Sequence, residues 1–133
     1  MAVAGWVLDK SAAVRARDPK VASQLEELTG ELVICPVGEL EQLYSARSAT
    51  DYDLLRDELR ASFRTVNAPD DIFQRALRLQ RDLALHHGMW HRTAIPDLLI
   101  AETALHHGMG VVHVDRDYER IAEVRDLPIR RLG

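Results

Sequence analysis

The chain of 133 residues is long enough to bury a hydrophobic core, and its 47% hydrophobic and 29% charged residues are typical of a globular protein. A formal net charge of −4 argues against a protein that coats nucleic acid by bulk positive charge, but it leaves room for a nuclease. No apolar stretch is as long as a membrane span, and the N-terminus lacks the pattern of a signal peptide. Cys35, the only cysteine, follows an apolar run, which predicts a buried, reduced thiol and a cytoplasmic location.

Predicted strands and helices alternate along the whole chain. In order, the sequence predicts a strand at 5–8, helices at 11–17 and 21–28, a strand at 32–34, a helix at 36–47, a helix capped by Ser48 or Thr50, a strand at 63–66, helices from 69 to Gly88 and at 95–106, a strand at 111–114, a helix at 118–124 and an edge strand at 127–129. This alternation predicts an α/β fold with a mainly parallel sheet. No linker divides the sequence, so residues 1–133 are expected to form a single domain.

Two aspartates directly follow predicted strands. Asp9 comes after GWVL and Asp115 after VVHV. Because the carboxyl ends of parallel strands meet at one edge of a sheet, the two carboxylates should lie close together if their strands are neighbours. A single aspartate in such a place usually caps the next helix or turn, so the pair gains weight only together with acids elsewhere.

Two further acids lie on apolar helix faces. Glu41 shares its face with the mostly apolar positions 37, 40, 44 and 48, whereas Glu39 lies about 160° around the helix and is expected to be solvated. Asp97 also has apolar neighbours on its face. It lies in the first turn of its helix, where the helix dipole stabilises a negative charge, so capping is the alternative explanation. A buried carboxylate loses hydration and repels like charges, so both placements suggest a functional use.

Together these four carboxylates predict a metal site. With no matching set of cysteines or histidines, they favour a hard cation with oxygen ligands, Mg²⁺ or Mn²⁺ rather than Zn²⁺. The chemistry that fits such a site is metal-assisted phosphodiester hydrolysis, with one ion or two. The candidate residues are Asp9, Glu41, Asp97 and Asp115.

Four segments resemble the acidic motifs of PIN-domain ribonucleases, in particular the VapC-type toxins of toxin–antitoxin pairs. They are WVLDKSA (6–12), LEQLYSAR (40–47), IPDLLIAETAL (95–105) and VVHVDRDYERIA (111–122). The segments occur in the family's order and span nearly the whole chain. The resemblance implies a three-layer PIN-like fold, with a mainly parallel sheet of four to five strands flanked by helices. It also implies a Mg²⁺- or Mn²⁺-dependent endoribonuclease that acts as a toxin.

The resemblance assigns roles residue by residue. Asp9 and Asp97 would be core metal ligands, Glu41 would be the acid of the second motif, and Asp115 would be the fourth acid and a ligand. Asp117 would either add a ligand or cap the last helix, so the main acid of this segment stays open.

Three positions need separate comment. Ser11 matches a small hydroxyl position of the family and would either hold a metal-bound water or start its helix. His113 replaces a common threonine, and Glu102 replaces a small residue. Because Glu102 lies about 180° from Asp97 on an ideal helix, we expect it to face solvent or a partner.

The resemblance implies an RNA substrate, a VapB-type antitoxin and a homodimer. Such antitoxins typically place a peptide, often with an arginine, into the acidic pocket. Candidates for an RNA path are the arginines at 47, 56, 60, 64 and 92. The adjacent histidines at 86–87 and 106–107 are interpreted as helix-end residues rather than zinc ligands. Two alternatives stay open: a catalytically silent PIN-like binding module, and a PIN nuclease of RNA processing or DNA repair outside any toxin pair.

Overall fold

The structure is a computed structural model that describes residues 3–87 and 91–133. Its elements in chain order are β1 (Gly5–Leu8), α1 (Lys10–Ala13), α2 (Pro19–Glu26), β2 (Glu31–Ile34), α3 (Pro36–Leu43), α4 (Ala49–Ser62), β3 (Arg64–Thr65), α5 (Ile72–His87), α6 (Ile95–His106), β4 (Gly110–His113), α7 (Asp117–Val124) and β5 (Ile129–Arg131). The predicted end of the long helix at Gly88 lies outside the described residues.

The five strands form one parallel sheet in the order β3-β2-β1-β4-β5. This confirms the predicted α/β fold. The first strand is central and pairs directly with β4, with Val7 opposite Val111 and Leu8 opposite Val112. Because both strands run in the same direction, the residues that follow them leave the sheet at the same edge.

Successive residues of each strand face opposite sides of the sheet, and both sides are covered. One core contains Val7 and Val111 with Leu79, Leu83 and Leu98 from α5 and α6, among others. The other core contains Leu8, Ile34 and Val112 with Ala12 and Val21 from α1 and α2, among others. Helices on both sides of the sheet give the three layers expected of a PIN-like fold.

Single residues explain where helix α4 and strand β5 begin. The Ser48 side chain accepts a hydrogen bond from the Asp51 amide at 3.0 Å, so Ser48 rather than Thr50 caps α4. The edge strand begins two residues later than predicted, at Ile129, because Pro128 has no amide hydrogen to donate. The Pro128 carbonyl still accepts from the Val111 amide at 3.0 Å.

The expectation that Glu102 faces solvent or a partner is wrong. Glu102 is 5% exposed, and its Oε2 lies 3.4 Å from Arg125 Nε. Helix α6 packs against the sheet, α5 and α7, so the face opposite Asp97 is covered by protein. Arg125 also pairs with Asp82, with 2.8 Å between Nη1 and Oδ2.

The long helix α5 buries only some of its apolar side chains. Ile72, Ala76 and Leu83 lie in the core, whereas Phe73 and Leu77 are more than 60% exposed. Within the described ranges, no helix is both long and apolar enough to cross a membrane.

Candidate metal centre

Three carboxylates converge at the carboxyl edge of the sheet. Asp97, Asp115 and Asp117 each offer an oxygen within 4.8 Å of the other two. Asp97 comes from the first turn of α6, Asp115 from the segment after β4, and Asp117 from the start of α7. Carboxylates this close repel one another unless a proton or a cation lies among them.

Asp9 is joined to this group through a tyrosine. Asp9 is 3% exposed, and its Oδ1 accepts a hydrogen bond from the Tyr118 hydroxyl at 2.8 Å. The same hydroxyl lies 3.4 Å from Asp97 Oδ1. Burial and the nearby charge of Asp9 and Asp97 raise the pKa of the Tyr118 phenol, so it stays protonated and donates.

Ser11 holds the other oxygen of Asp9. Asp9 Oδ2 accepts from the Ser11 amide at 2.9 Å and from its hydroxyl at 2.6 Å. The hydroxyl in turn accepts from the Val114 amide at 2.9 Å. Because its single hydrogen is used by Asp9, Ser11 connects the end of β1 to the end of β4 and orients the carboxylate.

Glu41 approaches the group from α3. It is half-buried, and its Oε1 is buried without a hydrogen-bond partner among the described residues. Burial, followed by the charge of Asp9, raises the pKa of the Glu41 carboxyl, and the charge of Lys10 opposes this. Asp97 Oδ2 is a second buried oxygen without such a partner.

The electrostatic effect of this convergence is greatest at Asp97. Burial raises the pKa of Asp97 to about 8, and the charges of Asp9, Asp115, Asp117 and Glu41 add to the effect in that order. The clustered carboxylates of Asp97, Asp115 and Asp117, with one buried Asp97 oxygen that has no hydrogen-bond partner among the described residues, match the ligand chemistry of a hard divalent cation. The residues present therefore fit such an ion.

The family model described as PIN domain matches residues 6–124, a range that includes all five of these acids. The chain belongs to the PIN-domain family. It is 61% identical over 120 residues to "Ribonuclease VapC17" of Mycobacterium tuberculosis, covering 90% of this chain and 89% of that one. It is 43% identical over 127 residues to "Ribonuclease VapC21" of the same organism, covering 93% and 91%.

Solved structures show the same PIN fold. VapBC-1 from nontypeable Haemophilus influenzae matches with a TM-score of 0.78 at 16% identity, covering 96% of this chain and 97% of that one. VapBC-5 from Mycobacterium tuberculosis matches with a TM-score of 0.69 at 23% identity, covering 96% and 98%. At these identities the match concerns the fold, whereas the family assignment rests on the sequence relatives.

In this PIN domain the two acids of α3 have different surroundings. The expectation that Glu39 is solvated is wrong. Its side chain is only 14% exposed, and its Oε1 lies 3.5 Å from Arg60 Nη2. Glu41 instead contributes to the pKa shift of Asp97. The helix face that carries Glu41 is apolar in sequence, but the inference that this face is buried is wrong, since Leu40 is 67% and Tyr44 is 89% exposed.

The last motif of the PIN domain supplies two acids that interact directly. Asp115 Oδ1 accepts a hydrogen bond from the Asp117 amide at 2.9 Å, and both side chains reach the group around Asp97. Asp117 is also the first residue of α7. The geometry brings both acids to the site, and which of them is the main fourth acid stays a prediction.

Tyr118 is the site residue that sequence reasoning missed. The sequence predicted it only as the first residue of the helix at 118–124. Its ring is fully buried and packs against His113, with 5.0 Å between ring centroids. His113 Nδ1 faces the Asp115 carbonyl, and burial lowers the pKa of the imidazole, so a neutral ring with hydrogen on Nδ1 fits this place.

His86 and His107 contact residues outside the acidic group. His86 Nε2 is 3.1 Å from Glu123 Oε2, and His107 Nε2 is 2.7 Å from the Asn67 carbonyl. The side chain of His87 lies outside the described residues. These contacts agree with a helix-end role rather than with a zinc site.

Three of the five arginines considered for an RNA path are held in ion pairs. Arg60 pairs with Glu39, and Arg64 Nη2 lies 2.7 Å from Glu31 Oε1. Arg56 Nη2 lies 3.4 Å from an oxygen of Asp53. Their charges are therefore partly satisfied within the protein.

Proposed function

We propose that this PIN domain is a Mg²⁺- or Mn²⁺-dependent endoribonuclease that acts as the toxin of a VapBC-type toxin–antitoxin pair. The observation that carries the proposal is the group of Asp97, Asp115 and Asp117, in which Asp97 Oδ2 is buried without a hydrogen-bond partner in the part of the chain that the structure describes. The names of the sequence relatives, all ribonucleases, support RNA as the substrate.

The proposed ligands are Asp9, Asp97 and Asp115, with Asp117 as a possible addition. A divalent ion bound there would supply a Lewis acid that lowers the pKa of water and neutralises charge on the scissile phosphate. Ser11 and the Tyr118 hydroxyl orient the Asp9 carboxylate for this task.

Glu41 is the proposed proton acceptor. Its raised pKa brings the carboxyl closer to neutral pH, where a general base works best. Its buried Oε1 has no hydrogen-bond partner among the described residues, so this oxygen is available to receive a proton. The Lys10 charge keeps the ionised form accessible despite the nearby acids.

The two glutamates of α3 provide a matched test. Purified protein is incubated with a labelled RNA in Mg²⁺, Mn²⁺ or EDTA, and cleavage rates are compared for Glu41→Gln and Glu39→Gln. Loss of a general base should lower the rate about 100-fold or more in Glu41→Gln, and Glu39→Gln should stay close to the parent. Asp9→Asn and Asp97→Asn should abolish cleavage. Equal cleavage by all four variants and the parent, with contaminating nucleases excluded, would refute the site.

A catalytically silent binding module is distinguished by its response to metal. Thermal unfolding of the parent and of Asp9→Asn is followed as Mn²⁺ is added. A ligand that binds only the folded state raises its stability. If the protein is a metal-dependent enzyme, Mn²⁺ should therefore raise the unfolding temperature of the parent and raise that of Asp9→Asn much less. A parent that neither responds to Mn²⁺ nor cleaves RNA would favour the module.

The proposed protein partner is a VapB-type antitoxin. A groove of about 460 Å³ between α1 and α4 is lined by Val14, Leu55 and Phe63, among others, and by Lys10, which follows Asp9 in the chain. An apolar peptide in this groove would be placed to reach the acids with an arginine, whose guanidinium pairs well with carboxylates. The choice of a VapB-type partner is supported by the solved structures of similar fold, which are named VapBC-1 and VapBC-5.

Growth assays separate a toxin from a nuclease of RNA processing or DNA repair. Expression of the chain should arrest growth, and co-expression of a cognate VapB-type antitoxin should restore growth. The same arrest should be absent with Asp97→Asn. Growth unaffected by an active nuclease would favour the processing or repair role.

The remaining parts of the proposal concern organisation. Residues 1–133 are proposed to form one PIN-like domain that assembles as a homodimer in the cytoplasm. The buried thiol of Cys35 supports a reducing compartment. Sedimentation of the purified protein, with a dimer as the expected result, tests the assembly.

A further inference from the structure

The Tyr118 hydroxyl lies between two candidate metal ligands from different parts of the chain. It donates to Asp9 Oδ1 at 2.8 Å and lies 3.4 Å from Asp97 Oδ1. Asp9 follows β1 and Asp97 lies in the first turn of α6, so the Tyr118 side chain from α7 bridges these two elements. No contact of similar kind joins the two aspartates directly within the described residues.

The two carboxylates are held very differently. Asp9 receives three donors, the amide and hydroxyl of Ser11 on Oδ2 and the Tyr118 hydroxyl on Oδ1. Asp97 Oδ2 is buried without a partner in the described part of the chain. One ligand is therefore fixed in orientation, and the other keeps an oxygen free for an ion.

The tyrosine itself is rigidly placed. Its side chain is fully buried, its ring packs against His113, and it belongs to the core that includes Val111 and Leu98. A phenylalanine would fill the same space without burying a polar group. Because a buried hydroxyl is unfavourable unless it is hydrogen-bonded, its contact with the carboxylates is what offsets this cost.

We propose that Tyr118 is a positioning residue of the metal centre, whose hydroxyl fixes the Asp9 carboxylate and sets its spacing from Asp97 before an ion binds. The inference rests on the proposed metal-dependent function and adds a residue to it. Hydrogen bonds that orient metal ligands typically change metal affinity 10–100-fold when they are removed. Removal of the hydroxyl should therefore weaken metal binding and leave the protein folded.

The test compares Tyr118→Phe with the control Tyr52→Phe, which removes a hydroxyl from a 39% exposed tyrosine of α4. The Mn²⁺ dissociation constant is measured by titration calorimetry, and free Mn²⁺ is counted by electron paramagnetic resonance. Tyr118→Phe should raise the dissociation constant about tenfold or more, in the range for such ligand-orienting bonds. Tyr52→Phe should match the parent. Circular dichroism in EDTA confirms that each variant is folded, as expected when the aromatic ring is kept.

RNA cleavage as a function of Mn²⁺ concentration gives a second readout. The Mn²⁺ concentration for half-maximal cleavage should rise by the same factor in Tyr118→Phe, whereas KM for RNA at saturating Mn²⁺ should not change. A folded Tyr118→Phe that binds Mn²⁺ as tightly as the parent would overturn the inference and leave the proposed function intact. A parent that binds no Mn²⁺ would overturn both.

Discussion

Replacing Asp97 by asparagine should stabilise the metal-free protein, although it removes a proposed ligand. Asp97 is 6% exposed, and its burial, followed by the charges of the surrounding acids, raises its pKa from 3.8 to about 8. In the absence of metal at neutral pH, the folded protein must either bury the charged Asp97 carboxylate or take up a proton on it. Asparagine has a similar shape and no charge, so it avoids both.

The pH dependence has a definite sign. Since the folded pKa lies above the unfolded one, the folded state binds the proton more tightly, and its advantage is complete below about pH 4. That advantage is lost as the pH rises from 3.8 to about 8. At about 1.4 kcal/mol per pKa unit, the whole shift corresponds to roughly 6 kcal/mol, of which about 4 kcal/mol is lost by pH 7.

Urea unfolding in EDTA at pH 5, 7 and 8 measures this effect. The free energy of unfolding of Asp97→Asn relative to the parent should grow by roughly 4 kcal/mol between pH 5 and pH 8, as an upper limit set by the pKa shift. Asp126→Asn, which changes an exposed aspartate between α7 and β5, is the matched control and should show no such trend. In saturating Mn²⁺ the order should reverse, because only the parent gains binding energy.

Two results would refute this reasoning. The first is an Asp97→Asn protein less stable than the parent in EDTA at pH 8. The second is a stability difference that does not change between pH 5 and pH 8. Either would mean that burial and the surrounding acids do not raise the pKa of Asp97 as the structure indicates.

Three further substitutions test one contact of the site and two of the surrounding fold. Ser11→Ala removes a donor to Asp9 and leaves a backbone amide at the end of β4 without its acceptor, which should lower the free energy of unfolding in urea by about 1–3 kcal/mol; no change would contradict that role. Arg125→Met leaves the buried carboxylate of Glu102 without its ion pair and should cost about 3 kcal/mol at pH 7, most of it recovered by adding Glu102→Leu. Gly110→Ala places a Cβ 2.6 Å from both a carbonyl and an indole carbon, so thermal unfolding should show a loss of about 1–3 kcal/mol.

Much of the fold followed from the alternation of short apolar runs with helical segments. The predicted parallel sheet is present, and Asp9 and Asp115 leave neighbouring strands at one edge. Helical phase also predicted apolar surroundings for Asp97, which is 6% exposed. These inferences succeeded because side-chain direction repeats regularly along a strand or a helix.

The same periodicity failed wherever burial depended on a neighbouring element. Leu40 and Tyr44 share the face of Glu41, but they are exposed, because an apolar stripe does not specify what covers it. Glu102 was expected at the surface and is buried, because α5 and α7 cover the far side of α6. Helix phase gives direction, and only the packing of distant segments decides whether that direction leads to solvent.

The sequence by itself determined the class of fold, the family motifs and the acids that converge at the sheet edge. The tertiary structure alone decided how those acids are held. It placed the Tyr118 hydroxyl from α7 against Asp9 and Asp97, and it used Ser11 to connect Asp9 with the end of β4. Local sequence sets the conformation and facing of each element through short-range sterics and hydrogen bonds. These contacts join residues 21 to 109 positions apart and exist only after the layers have packed together, so the positioning of the metal site is a property of the assembled fold.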